Sequence, residues 1–281
     1  IGTDKALSGD ISIPEEVSTG NSNSKRTVTE IASNAFMHPS LTYFEDTITS
    51  LTIPQTIETI KSNAIENYAI KEIKLNDKQS MTFETNALTS VYGLKSFRIP
   101  DNAKMEIPNL SGCSHLTEVI AGESNMYHTS QDGVLYSKNM DTLQICPISS
   151  RPSRTYIMPL SVKAIAGALE FFADSMSIYV LHKGELPILL GTHYTTYNTT
   201  LYVRESSTFP SDGIVMWENI FNNIVRLTDE EADGILTSVS EVNTDINSPY
   251  TDGAYYTPAG VRVTKPSKGL YIHNGRKVIV K

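Results

Sequence analysis

The sequence predicts an α/β repeat solenoid followed by a small all-β tail, on three observations. A Ser/Thr-Asn-Ala-hydrophobe phrase occurs as Ser33-Asn34-Ala35-Phe36, Ser62-Asn63-Ala64-Ile65 and Thr85-Asn86-Ala87-Leu88, with Ile31, Ile60 and Phe83 two positions ahead. Short pairs of alternating apolar residues recur at steps of 22–24 residues. A polar stretch rich in turn residues then sets off a basic C-terminal segment. Sequence repeats of about 20–50 residues mark stacked units, each burying its apolar face only against its neighbours.

The pairs are Ile11/Ile13, Leu51/Ile53, Ile73/Leu75, Phe97/Ile99, Val119/Ala121, Tyr156/Met158, Ile178/Val180, Leu201/Val203 and Val225/Leu227. Period-2 alternation over such short windows predicts half-buried strands on one face of about eight coils. Ile13, Ile53, Ile99 and Met158 each precede a proline. Proline has no N–H for a strand ladder, so it ends the strand and turns the chain. In the repeated phrase, Ser33, Ser62 and Thr85 are suited to cap helices, and the following Asn to satisfy backbone groups in a tight turn. Phe36, Ile65 and Leu88 are expected in the core.

Two long steps in the ladder locate insertions. Between Ile11 and Leu51 the surplus falls on the polar run Thr19-Gly20-Asn21-Ser22-Asn23-Ser24. Between Val119 and Tyr156 two alternating runs flank a polar turn, predicting a β-hairpin near 127–147 that stands out of the stack. The solenoid is expected over 1–228, an acidic linker over 229–250 and a β-hairpin tail over 251–281. Within the tail, Asn274-Gly275 between apolar runs is a strong hairpin signal.

The pattern apolar-Pro-x-x-apolar-x-x-Ile-x-x-x-Ala-Phe, clean at Pro54, Ile57, Ile60, Ala64 and Ile65, resembles the BspA-like leucine-rich repeats of bacterial surface proteins. It resumes after an interruption at Ile31, Ala35 and Phe36, and at Pro159, Val162 and Ile165 the next alanine, Ala168, comes one residue early. Asp132-Gly133-Val134-Leu135-Tyr136 with Leu143 and Cys146-Pro147 is similar to a hairpin insertion of that family, and Leu201-Tyr202-Val203 with Trp217 and Phe221 to its closing coil. Gly-Leu-Tyr-Ile and Gly-Arg-Lys-Val in the tail resemble a β-tail of exported anaerobe proteins, which in some relatives serves secretion or sorting. The resemblance covers about residues 8–228 and implies a secreted or cell-surface protein. The chain begins Ile1-Gly2-Thr3 instead of Met, as expected where an export signal lies outside it.

Charge and composition narrow the partners. The 281 residues carry a net charge of −8. Residues 251–281 hold six basic side chains against Asp252, a net of +5, which leaves −13 on residues 1–250. An acidic body repels nucleic acid, whose phosphates need a basic footprint. No apolar run reaches the ~20 residues of a membrane span. Cys113 and Cys146 read as two buried thiols, or as a disulfide tying the hairpin to the preceding coil.

Chemistry is sparse. The six histidines have no metal-ligand spacing, and no phosphate loop or nucleophile motif is present. Neither catalytic residues nor a cofactor or metal is expected. Glu170 and Asp174, beside Phe171-Phe172, read as a solvated helix face rather than a carboxylate pair. Asp46-Thr47-Ile48, Asp141-Thr142-Leu143 and Asp174-Ser175-Met176 resemble a bacterial O-glycan acceptor. Tyrosine and tryptophan dominate binding hot spots, so the candidate ligand contacts are Tyr43, Tyr92, Tyr194, Tyr197, Tyr202 and Trp217. The function expected is non-enzymatic binding, by a monomer, of an extracellular protein, a glycan or another bacterium; the alternative is a structural spacer in a larger exported protein.

Overall fold

The computed structural model describes residues 8–18, 24–37, 47–147, 154–167, 176–190, 196–211 and 216–237, and strands at 255–256, 262–263, 269–273 and 276–280. The chain divides into two units, Ile1–Arg226 and Leu227–Lys281. The first unit opens with β1 (Ser8–Ser12), the antiparallel pair β2 (Glu16–Ser18) and β3 (Lys25–Thr27), β4 (Glu30–Ile31) and β5 (Phe36–Met37). Two full coils follow: β6 (Thr47–Thr52), β7 (Thr59–Ile60) and β8 (Ile65–Glu66), then β9 (Glu72–Lys74), β10 (Ser80–Phe83) and β11 (Leu88–Thr89). Next come β12 (Ser96–Ile99), β13 (Asn102–Met105) and β14 (Glu118–Ala121), then β15 (His128–Gln131), β16 (Val134–Ser137) and β17 (Thr142–Ile145). The last coils hold β18 (Thr155–Ile157), β19 (Ala164–Ala166), β20 (Ser177–Val180), β21 (Ile188–Leu190), β22 (Thr196–Arg204), the single turn α1 (Trp217–Ile220) and β23 (Phe221–Leu227).

Like strands of successive coils pair in parallel rows. The strands of the apolar pairs form three sheets in succession, β1-β6-β9, β12-β14 and β18-β20-β22-β23; β4-β7-β10-β13 and β5-β8-β11 form two further rows. Register sets Ile11, Leu51 and Ile73 level, then Phe97 with Val119, and Tyr156 with Ile178 and Leu201. The expected ladder of apolar pairs is therefore the inward-facing ladder. Its last rung differs: in β23 Phe221 is buried and Ile224 packs on the core, while Val225 is 39% exposed.

The fold is a β-solenoid of about seven turns, built of strands with little helix, where an α/β solenoid of about eight coils was expected. β23 ends the ladder without a coil of its own. The Asn-Ala phrase accounts for the missing helices. Lys61-Ser62-Asn63-Ala64 is a β-turn closed by Ala64 N–H donating to Lys61 O (3.1 Å), with Asn63 at φ 56°. The phrases at Asn34 (φ 62°) and Asn86 (φ 59°) are built alike. A positive φ at the third turn position is the type II pattern, which accepts Asn or Gly. The turns stack, because Asn34 N–H donates to Asn63 O and Asn63 N–H to Asn86 O, both at 2.9 Å. Ser33, Ser62 and Thr85 thus hold the second position of turns and do not start helices; short polar side chains favour both for the same reason, local backbone hydrogen bonding.

Of the three hydrophobes that follow, Ile65 and Leu88 are fully buried and Phe36 is partly buried against the same core. Where a fourth phrase would fall stands Asn109, 2% exposed. Its Oδ1 accepts from Leu88 N–H (2.8 Å), and its Nδ2 donates to Glu84 O and Glu106 O. Two other buried amides tie the proline corners. Gln79 Nε2 donates to Pro54 O and Ile57 O, and Asn125 Nδ2 to Pro100 O and Ala103 O, all at 2.8–3.0 Å.

The expected hairpin exists but does not leave the stack. β15 and β16 pair antiparallel around Asp132-Gly133 (φ 51° and 75°), and β16 pairs antiparallel with β17. β17 then pairs in parallel with β19, and β19 with β21, giving a five-stranded sheet. Leu135 and Ile145 enter the core cluster of the N-terminal coils, while Val134, Tyr136 and Leu143 enter that of the C-terminal coils. Burial of these five side chains holds the insertion in the wall.

The second unit begins with a helix over 229–237 inside the stretch expected as linker. Thr228 and Glu231 form its capping box: Glu231 N–H donates to Thr228 Oγ1 (3.2 Å) and Thr228 N–H to the Glu231 carboxylate (2.9 Å). The tail strands β24 (Tyr255–Tyr256), β25 (Arg262–Val263), β26 (Gly269–His273) and β27 (Arg276–Val280) form one antiparallel sheet in the order β25-β24-β26-β27. The Asn274-Gly275 turn, the Thr19–Asn23 part of the first insertion, Ala168 and the Glu170–Asp174 stretch lie outside the described residues.

Candidate functional site

Outward side chains are held in register by the same ladder that aligns the core. In the C-terminal coils Ile157 is level with Tyr179, and Tyr179 with Tyr202. The two tyrosine rings stack at 4.4 Å with 9° between planes. Beside them run Thr155, Ser177 and Thr200, also level and half-buried. Burial, then the Tyr202 neighbour, raises the Tyr179 phenol, which keeps it a neutral hydroxyl donor near pH 7. A second stack joins Tyr68 and Tyr92 at 4.5 Å and 22°. The Tyr92 carbonyl accepts from His115 Nδ1 at 2.8 Å, which continues this edge into the next coil.

Of the candidate contacts, Tyr92 and Tyr202 are half-buried members of these stacks. Trp217 is not a surface residue: it is 1% exposed, its indole N–H donates to Pro187 O (3.0 Å), and its ring stacks on Phe221 at 5.8 Å. An indole that finds both an apolar bed and one carbonyl is satisfied in the core. Tyr43 and Tyr194 lie outside the described residues, as does the side chain of Tyr197, whose backbone is in β22. The partners Tyr68 and Tyr179 were missed, though the repeat step of 24 and 23 residues leads to them from Tyr92 and Tyr202.

A separate polar concavity of about 460 Å³ lies over the corner before β7 and over β10 and β13, with Tyr127 in its wall. Cys113 and Cys146 are both buried thiols, and burial pushes the Cys113 thiol up to about 12. That thiol is unreactive at neutral pH. Asp141 closes a turn, accepting from Ser137 Oγ (2.8 Å), Asn139 Nδ2 (2.7 Å) and Thr142 Oγ1 (3.0 Å), so Asp141-Thr142 is committed to structure. Asp46 and the Asp174-Ser175 pair lie outside the described residues. Among the described residues no group of three or more His, Cys, Asp or Glu is placed to hold a metal, and no helix is long and apolar enough to cross a membrane.

No curated protein matches the chain. Among solved structures, it is similar to a leucine-rich repeat protein from Bacteroides capillosus, at 26% identity over 40% of this chain and 76% of that one, with a TM-score of 0.33. It is similar to the pneumococcal vaccine antigen PcpA at 14% identity, covering 82% and 90% of the two chains with a TM-score of 0.37. A leucine rich cell surface protein from Faecalibacterium prausnitzii gives 14% identity, the same coverage and a TM-score of 0.26. Residues 29–151 match six copies of the BspA type leucine rich repeat region. Residues 29–151 of this chain are thus leucine-rich repeats of the BspA type.

Proposed function

We propose that the chain is a non-enzymatic binding module, displayed outside the cell or on its surface, that recognises an extracellular protein or glycan through the outward faces of its solenoid. The observation that carries this reading is the column Ile157–Tyr179–Tyr202, with its flanking hydroxyls, on the outward side of a strand row. A stack whose interior is fully used for folding keeps its specificity in such outward columns. Paired tyrosines supply contact area with little conformational entropy to lose. The resemblance of the repeats to those of bacterial surface proteins supports the extracellular setting. The test is binding of the full chain to arrays of extracellular-matrix proteins and of glycans, with a Tyr179→Ala/Tyr202→Ala double variant alongside. The reading expects at least one ligand whose binding falls about tenfold or more in the variant, and it fails if neither array gives one.

The second reading, a spacer that displays a partner domain, is favoured by the charge pattern of the N-terminal coils. Lys61 sits between Glu30 (3.4 Å) and Glu84 (2.9 Å), one coil on either side, and charges paired in this way tie coil to coil instead of facing a ligand. Silence on both arrays is its expected outcome.

A further inference from the structure

We propose that the polar concavity at Tyr127 is a binding site for an uncharged oligosaccharide, distinct from the tyrosine column of β20 and β22. The inference rests on the chain being a binding module but concerns a different face. Gln55 and Glu58 come from the corner before β7, Thr82 from β10, Asn102 and Lys104 from β13, and Tyr127 from the coil after them. Four successive coils thus line one cleft. With strands about 4.8 Å apart, its three coil-to-coil steps span about 14 Å, long enough for a short oligosaccharide.

The lining suits that ligand. Among the described residues, the Gln55 amide, the Glu58 carboxylate, the Thr82 hydroxyl and the Tyr127 phenol make no hydrogen bond or ion pair with the protein. They therefore offer donors and acceptors together, which is what a hydroxyl-rich molecule needs. Lys104 is already paired with Glu106 (3.3 Å), which leaves Glu58 as the one unpaired charge of the lining and disfavours an anion. It holds no deep apolar hole for a peptide anchor, since its one aliphatic residue, Met81, is 4% exposed. The apolar element is the Tyr127 ring, 43% exposed, a flat face for the C–H side of a sugar.

The backbone that carries that ring is also fixed in advance. Asn125 Oδ1 accepts from both Tyr127 N–H and His128 N–H at 2.8 Å, while its amide nitrogen grips Pro100 O and Ala103 O. His128 is locked behind it: Nε2 accepts from Met105 N–H (2.9 Å), and Nδ1 donates to Gln144 Oε1 (2.8 Å). A wall fixed before the ligand arrives loses little on binding.

The test is calorimetric titration of the full chain with chitotriose, cellotriose and maltotriose, and with sialyllactose as the charged counterpart. Variants are Tyr127→Ala, Gln55→Ala, Tyr179→Ala/Tyr202→Ala, whose loss of binding would move the sugar to the tyrosine column, and, as a control away from both faces, Met37→Ala at an exposed position of β5. One neutral trisaccharide should bind with an affinity that changes little between low and high salt. Tyr127→Ala should weaken it about tenfold or more, Gln55→Ala more mildly, and the control not at all. Tyr127→Ala keeps every backbone bond of the wall, so an unchanged melting temperature shows that the variant is folded. The proposal is overturned if no neutral trisaccharide binds, if only sialyllactose binds, or if the loss follows the Tyr179→Ala/Tyr202→Ala variant or the control. It is overturned equally if a peptide, and no sugar, competes at Tyr127. Binding to matrix proteins that survives such a failure leaves the broader binding-module reading standing.

Discussion

Asn34, Asn63 and Asn86 hold left-handed backbone where an ordinary side chain is strained by about 1 kcal/mol or more. Asn63→Ala should therefore lower the denaturation free energy by about 1 kcal/mol while Asn63→Gly stays near neutral, read from denaturant midpoints. Equal losses would show that the Asn side chain, not its backbone, matters. Ile65→Ala should cost about 2–5 kcal/mol through a core cavity, and Phe36→Ala less, because Phe36 keeps part of its surface in water. His128 carries a pH dependence. Burial holds its pKa below the ordinary 6.5, partly offset by the Gln144 hydrogen bond and reinforced by the Lys104 charge. The unfolded chain therefore takes up a proton first, so this contribution is complete above about pH 6.5 and declines as pH falls toward the lowered native value. His128→Gln should flatten that slope in melting temperature between pH 7 and pH 5, while a slope that persists in the variant belongs to other groups.

At the scale of elements, the buried amides clamp one coil to the next. Removing the Gln79 amide leaves the carbonyls of Pro54 and Ile57 without their partner, so Gln79→Ala should cost about 1–3 kcal/mol, with Gln79→Glu at least as damaging. The ladder of strands was legible because inward residues alternate at a fixed step and need no long-range information. The turn nature of the Asn-Ala phrase was not, because Ser-Asn before an apolar residue satisfies the preferences of a helix start and of a type II turn alike; stacking onto the next coil decides between them. Thr228-x-x-Glu231 carried a helix signal that the acidic composition of 228–234 concealed. The polar turn between alternating runs likewise announced a hairpin near 127–147, but not that its strands would be claimed by two cores.

For the molecule as a whole, the core pattern of the first unit could be written down from the sequence, whereas its candidate sites could not. Tyr92 and Tyr202 were visible as single aromatics, but their value lies in partners one coil away. The cleft at Tyr127 draws on residues from 55 to 127, and only the stack brings them together. Trp217 went to the interior for the opposite reason: a large ring near the end of the ladder is worth more as a seal than as a contact. The coils follow one another in chain order, from the edge strand β1 to β23, and each is joined to its neighbours by hydrogen bonds that run along the axis of the stack. Tension applied between the two ends of the first unit would load those bonds lengthwise, one coil after another. A coil of about 22 residues that lets go releases roughly 70–80 Å of chain. In a single-molecule pulling experiment the unit should lengthen in steps of about that size and hesitate where β15–β17 knit the two cores together.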